Sequence, residues 1–354
     1  MSISELKSIL PKGTAALIIS EHNRDYFTSF KSSSGYLLVT GPHSVFITDS
    51  RYIEEAKNKV RGCDEILLQK DFKEQLMYIL KSLQVKKVQM EASHITVKKF
   101  EKFKEMLKGI EVTASGEIDE HIESLRSVKS QGEKEKIKKA QGIAQQAFMH
   151  ILEYIKPGKT ERQIALELDY FMLGNGASAL SFDTIVVSGK NSSKPHGVPS
   201  EKKIETGDFI TMDFGACFLS YHSDMTRTVA VGSVSEKQAL VYDIVQKAQL
   251  NAISKVREGA LCKDCDFAAR EVISDAGYAD NFGHSTGHGV GIELHENPNL
   301  TPSSDEVLKA GNVVTVEPGI YIENEFGVRI EDMVFVTPTG CENLTNSPKN
   351  LMVL

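Results

Sequence analysis

Four carboxylates fall in two hairpins: Asp213 in ITMDFGA and Glu317 in VTVEPGI interrupt otherwise apolar outgoing strands, and Asp224 in YHSDMTRT and Glu331 in GVRIED stand on the returns. A charge within an apolar strand is costly unless it is paired or bound to a cation. Basic residues near these segments are few, with Arg227 and Arg329 the main candidates. Two arginines do not comfortably neutralise four carboxylates, so divalent metal is the easier source of the missing charge. The stretch GHSTGHGVGIELHE supplies His284, His288 and His295 at spacings of four and seven, three of the ten histidines in the chain. A single histidine is more often structural, but three clustered between two acidic segments are better explained as ligands and proton-handling groups. Carboxylate-rich coordination with one imidazole suits Mn, Co, Fe or Zn. Four carboxylates and a histidine suffice for two metals about 3.5 to 4 Å apart, a centre that polarises a carbonyl and generates hydroxide at neutral pH. The chemistry read from these residues is that of a two-metal hydrolase.

The elements that must position this set show themselves as an internal repeat. Residues 207–215 read GDFITMDFG and residues 311–319 read GNVVTVEPG, with Gly, Thr, an acidic residue and Gly in matching places. TRTVAVG returns after the first copy and EDMVFVT after the second, so duplicated halves of one domain are expected, each with one acid outgoing and one returning. Upstream, Ser130 with Glu133 and Thr160 with Gln163 fit capping boxes that open helices, the second running to a stop at Gly174 and Gly176. Before them lies a smaller α/β domain. Strands are expected at 15–20, 35–40 and 44–49 and helices at Lys73–Leu83 and Val97–Leu107. Apolar periodicity lapses over Glu117–Gln131, which places the domain boundary between 122 and 123, so that residues 1–122 precede a catalytic domain of residues 123–354.

Composition narrows the partners. With 354 residues and 41% hydrophobic content, the chain can bury two cores. A net charge of -7 provides no basic field for nucleic acid or an anionic membrane surface. The first twenty residues lack the apolar core and cleavage site of an export signal, and no apolar run approaches the roughly 18 residues of a membrane span, so a cytoplasmic protein is expected. Five cysteines argue against a disulfide framework, and Cys262 and Cys265 lack a second pair to complete a zinc site.

In this order, TMDFG, YHSDMTRT, STGHGVGIELHE, TVEPGIYI and GVRIED resemble the metal-binding motifs of the pita-bread metallopeptidases, in their aminopeptidase P and prolidase branch. The resemblance is strong from about residue 125 onward and looser through NRDYFTSF, SSGYLLVT and ITDSRY. It implies an α/β (α+β) chain with a creatinase-like N-terminal domain and a pseudo-symmetric pita-bread catalytic domain. It also implies that Asp213 chelates one metal, Asp224 and Glu331 bridge both, and His288 and Glu317 complete the other. In the family a hydroxide bridging the metals attacks the scissile carbonyl. Glu317 matches the general base and acid, and His295 the histidine that stabilises the tetrahedral intermediate. His196 in SSKPHGVPS matches an active-site histidine that contacts substrate, His284 lines the pocket for proline, and Arg329 and Tyr321 match pocket or supporting positions.

The implied reaction is hydrolysis of Xaa-Pro bonds with Mn favoured over Co or Zn, in a homodimer whose substrates are proline-containing di- or oligopeptides. An Xaa-Pro bond has no N–H, so proteases that read extended backbone hydrogen bonds handle it poorly. Chain length favours the dipeptidase, with aminopeptidase P on longer peptides as the alternative. A binding module on the same fold should have lost ligands, and none is lost.

Overall fold

Fully buried runs such as Ala15–Ile18 and Leu37–Val39 read as strands enclosed on both faces, and they form the centre of a six-stranded sheet in a computed structural model that describes residues 3–354. Its strands are β1 (Thr14–Ile18), β2 (Tyr36–Thr40), β3 (Ser44–Thr48), β4 (Glu65–Leu68), β5 (Lys87–Met90) and β6 (Glu111–Thr113). They lie in the order β4-β3-β2-β1-β5-β6, with β1–β2 and β2–β3 antiparallel and the other pairs parallel. Six helices accompany them: α1 (Ile3–Ile9), α2 (Glu21–Thr28), α3 (Ile53–Lys59), α4 (Phe72–Ser82), α5 (Val97–Met106) and α6 (Glu117–Ser127). The strand expected over 15–20 stops at Ile18 because Ser20 caps α2, accepting the Asn23 N–H.

The segment where the apolar periodicity lapses is helical. In α6, Ile118 and Ile122 are buried and Asp119 accepts the backbone N–H groups of Ala92 and Ser93. The chain separates into a compact unit ending at Arg126 and a second, Ser127–Leu354, a division that falls inside the Glu117–Gln131 stretch.

The second unit runs through the same element order twice. Its first half holds α7 (Gln131–Tyr154), α8 (Glu161–Gly174), β7 (Ala179–Leu180), β8 (Ile185–Ser188), β9 (Phe209–Phe214), β10 (Ala216–Phe218), β11 (Tyr221–His222) and β12 (Met225–Ala230). Its second half holds α9 (Glu236–Lys255), α10 (Cys262–Asp275), β13 (Gly287–Gly289), β14 (Glu296–Leu300), β15 (Val313–Val316), β16 (Gly319–Ile322), β17 (Phe326–Arg329), β18 (Asp332–Thr337) and β19 (Gly340–Asn343). Both expected capping boxes are present, and Ser235 with Gln238 forms a third at the start of α9. Two helices, an outgoing strand, a small inserted hairpin and a return strand thus recur.

The duplicated sequence segments are the outgoing strands β9 and β15, and each pairs antiparallel with its return strand, β12 and β18. These strands lie in the sheets β12-β9-β8 and β14-β13-β15-β18-β19, while β11-β10-β7 and β16-β17 form two small separate sheets. One core packs α7 and α8 on the first sheet, around Phe148, Leu168 and Met212; another packs α9 and α10 on the second, around Val245, Ala269 and Val314. All five cysteines are free, with Cys262 and Cys265 buried on α10. No helix among the described residues is long and apolar enough to cross a membrane.

Candidate active site

The four acids sit where the central strands of each half begin or end. Asp213 is the penultimate residue of β9, Asp224 directly precedes β12, Glu317 directly follows β15 and Glu331 directly precedes β18. Backbone contact draws the two pairs together: the Glu331 N–H donates to the Thr226 carbonyl at 3.1 Å, and the Thr226 hydroxyl donates to Glu331 Oε2 at 2.7 Å. Glycine permits the close approach. A Cβ at Gly215 would lie 1.9 Å from the Ser223 carbonyl oxygen, and one at Gly287 would lie 1.9 Å from that of Thr315.

His288 on β13 completes the cluster. Its Nδ1 donates to the Gly289 carbonyl at 3.0 Å, which leaves the Nε2 lone pair facing Asp224 Oδ2 at 3.5 Å and Glu317 Oε1 at 3.6 Å. Asp224, His288 and Glu331 present ligand atoms that all lie within 4.8 Å of one another. Asp213 Oδ1, Asp224 Oδ1 and Glu331 Oε1 are buried with no hydrogen-bond partner. Burial first, and then the charge of the neighbouring acids, pushes Asp224 and Glu331 well above the usual carboxylate range; burial also raises Glu317. Converging carboxylate oxygens without donors, beside an imidazole with its lone pair turned inward, fit divalent metal.

Arg329 holds one side of the cluster. It donates to Asp213 Oδ2 at 2.7 Å, the Thr226 hydroxyl at 3.0 Å, the Tyr321 hydroxyl at 2.8 Å and the Pro195 carbonyl at 3.3 Å. The Tyr321 hydroxyl in turn donates to His284 Nε2 at 2.9 Å, while His284 Nδ1 donates to the Ser285 carbonyl. Burial, seconded by the Arg329 charge, drops His284 to about 4 and so keeps it neutral, and burial lifts Tyr321 to about 12. His295, whose ring centre lies 4.2 Å from that of His288, is also lowered, by burial and then by His288.

Nine of the ten residues singled out in the sequence line one cavity of about 490 Å³: Asp213, Asp224, His288, Glu317, Glu331, Arg329, His196, His284 and His295. Tyr321 stands behind them, bonded to both His284 and Arg329. Arg227 is the exception among the cations considered. It is buried against Asp332 at 2.8 Å and donates to the Glu331, Ser347 and Pro348 carbonyls, so it neutralises none of the four site acids. The sequence reading missed Thr226, Asp183 and Asn299 as well as the apolar walls Phe182, Ile185, Pro195 and Leu294. For Thr226 a signal existed, since in DMTRT it lies two residues past a site acid on a strand, on the same face.

The sequence matches the model of metallopeptidase family M24 over residues 135–338 and that of the creatinase/prolidase N-terminal domain over residues 12–128. An Xaa-Pro dipeptidase of Pyrococcus furiosus is 41% identical over 318 residues, which span 90% of this chain and 89% of that protein. The solved structure of an Xaa-Pro dipeptidase from Bacillus anthracis superposes with a TM-score of 0.94 at 41% identity, over 99% of each chain. That of an X-Pro aminopeptidase from Thermotoga maritima superposes with a TM-score of 0.91 at 37% identity, over 96% of this chain and 97% of that one.

Proposed function

The chain belongs to metallopeptidase family M24, with a creatinase/prolidase N-terminal domain ahead of its catalytic unit, and on that premise we propose that it is an Xaa-Pro dipeptidase acting with two divalent metal ions. The observation that carries this reading is the trio of buried, partnerless oxygens on Asp213, Asp224 and Glu331, converging with His288 Nε2 in one cavity.

Asp213, Asp224, His288, Glu317 and Glu331 would hold the metal ions in this reading, with Mn favoured. Bound there, the metals supply carbonyl polarisation and an activated water. Glu317 takes the proton from the attacking water and returns it to the departing proline nitrogen. His295 is neutral near pH 7 and donates an N–H to the oxyanion that develops on the scissile carbonyl. His196 contacts the substrate from the loop that also carries Pro195. His284 lines the proline pocket with its ring fixed by Tyr321 and Ser285. Arg329 has four donations committed within the protein, so it serves the pocket by fixing Asp213, Tyr321 and Pro195.

The same pocket supports a second reading, an aminopeptidase acting on longer Xaa-Pro peptides, favoured by the T. maritima likeness. A metal-supplemented assay of an Xaa-Pro dipeptide against the same peptide extended beyond proline separates them. Release of free proline from the dipeptide alone is expected; efficient cleavage of the longer peptide selects the aminopeptidase, and failure to cleave either sinks both. We further propose a cytoplasmic homodimer, which light scattering on the purified protein tests. Nucleic acid and membrane are not partners in this reading.

A further inference from the structure

The stretch from the end of α10 to β13 carries His284 toward His288, yet its only regular structure is a short 3-10 turn at Ala279–Asn281. What fixes its path comes from α10. Asp266 is fully buried there and receives Arg270 at both oxygens, Nε at 2.6 Å and Nη2 at 3.1 Å. Asp266 Oδ1 also accepts the Thr286 hydroxyl at 2.8 Å and the Thr286 N–H at 3.1 Å, the latter shared with the Leu300 carbonyl. Arg270 sends Nη1 to the Phe282 carbonyl at 3.1 Å and Nη2 to the His284 carbonyl. Its guanidinium lies 4.3 Å from the centre of the Phe282 ring, and that ring meets His284 edge-on at 5.0 Å.

A buried ion pair is a poor source of net stability, because desolvation offsets most of its attraction. This pair instead spends its donors and acceptors on residues 282, 284 and 286 of one segment. We infer that Asp266 and Arg270 are positioning residues for the active site: Arg270 sets His284, and Asp266 sets Thr286 and what hangs on it. Thr286 is itself tied to the machinery, since its carbonyl accepts the Glu317 N–H at 2.7 Å. The two arms therefore have different targets, substrate contact through Arg270 and the Glu317 backbone through Asp266. The inference rests on the Xaa-Pro reading for its kinetic consequences and on geometry alone for its structural one.

Arg270→Lys keeps a cation beside Asp266 but removes the planar fork that reaches two carbonyls. In the full-length, metal-loaded enzyme it raises KM for an Xaa-Pro dipeptide about tenfold, the scale of one charge-assisted hydrogen bond, with kcat within about twofold and metal content unchanged. In a His284→Ala background the same change adds little, because its target is gone. A wild-type KM for Arg270→Lys, or effects that multiply in the double variant, overturns the inference while wild-type turnover leaves the functional reading standing. Asp266→Asn keeps an acceptor for Thr286 and loses the charge; it lowers kcat more than it raises KM, and the reverse split counts against the assignment. One readout needs no substrate: in histidine-labelled protein the NMR signals of His284, identified by their loss in His284→Ala, shift in Arg270→Lys while those of His43 do not. Unmoved His284 signals overturn the inference whatever the enzyme cleaves.

Discussion

The two halves of the catalytic unit repeat the same elements, but they use their arginines differently. Arg227 on β12 of the first half reaches into the second, gripping Asp332 and the Glu331 carbonyl. Arg329 at the end of β17 in the second half reaches back to Asp213 and Thr226 of the first. The exchange is reciprocal in form and unequal in consequence. Arg227 is sealed among backbone carbonyls and an acid outside the cavity, whereas Arg329 lines the cavity and touches a site acid. One crossing fastens the halves and the other tunes the site. The braces stand at different places in the repeat, Arg227 three residues after the return acid Asp224 and Arg329 two before the return acid Glu331, and only the second faces the cavity.

The largest effect is expected at two site acids that neither arginine pairs with, Asp224 and Glu331. Asp224→Asn and Glu331→Gln are expected to lower activity at least about a thousandfold and to deplete bound metal. Metal-free, the same variants should be no less stable than metal-free wild type, since each relieves repulsion among buried carboxylates. Metal analysis and thermal unfolding together check this, and normal turnover in either variant would break the ligand assignment. Next, Arg227→Met should cost about 3 to 5 kcal/mol of stability by stripping the Glu331, Ser347 and Pro348 carbonyls of their donor and leaving Asp332 only Lys349 as a cation. Arg329→Met should lose kcat/KM instead, and denaturant unfolding beside steady-state kinetics shows whether the two arginines separate in this way. A smaller effect is expected from His295→Ala, which keeps metal and loses rate by about a hundredfold; loss of metal there would mean that His288 and His295 have exchanged roles.

The smallest effect is one of pH. His284 falls from an ordinary 6.5 to about 4 on folding, so between those values the unfolded chain binds more protons and stability rises with pH, the contribution being complete above about 6.5. In metal-free protein this amounts to about 2 kcal/mol, less than the full shift would give, because burial is partial. His284→Gln should flatten the stability curve across that window. An unchanged slope in urea titrations at pH 4.5 and 6.5 would assign the acid sensitivity elsewhere.

The contrast between the halves also shows what the sequence could reveal. Asp213, Glu317 and the glycines around them were legible because a polar residue in an apolar strand, repeated at matching places, leaves a pattern along the chain. The return acids were legible because one follows each copy of the repeat, and the three histidines because they cluster within twelve residues between the acidic segments. Arg227 and Arg329 were equally conspicuous, but nothing local distinguishes an arginine that points to Asp332 from one that points to Asp213. That choice is made by partners about 100 residues away in the chain. Phe182, Ile185 and Leu294 escaped notice because aliphatic and aromatic side chains look alike whether they fill a core or wall a pocket. Over Glu117–Gln131 the sparse apolar residues gave no clear helical period, yet Ile118 and Ile122 one turn apart are enough to seat a helix.

The crossed arginines bear finally on what recombination the gene can tolerate. Each half carries a cation whose acid lies in the other, so neither is a self-sufficient module, and a second copy of the first half in place of the second would bring Arg227 to a partner lacking Asp332 and leave Asp213 without Arg329. Exchange between relatives should therefore succeed when whole catalytic units are swapped, and a crossover in the connection between β12 and α9 should fail wherever one parent lacks either arginine or its acid.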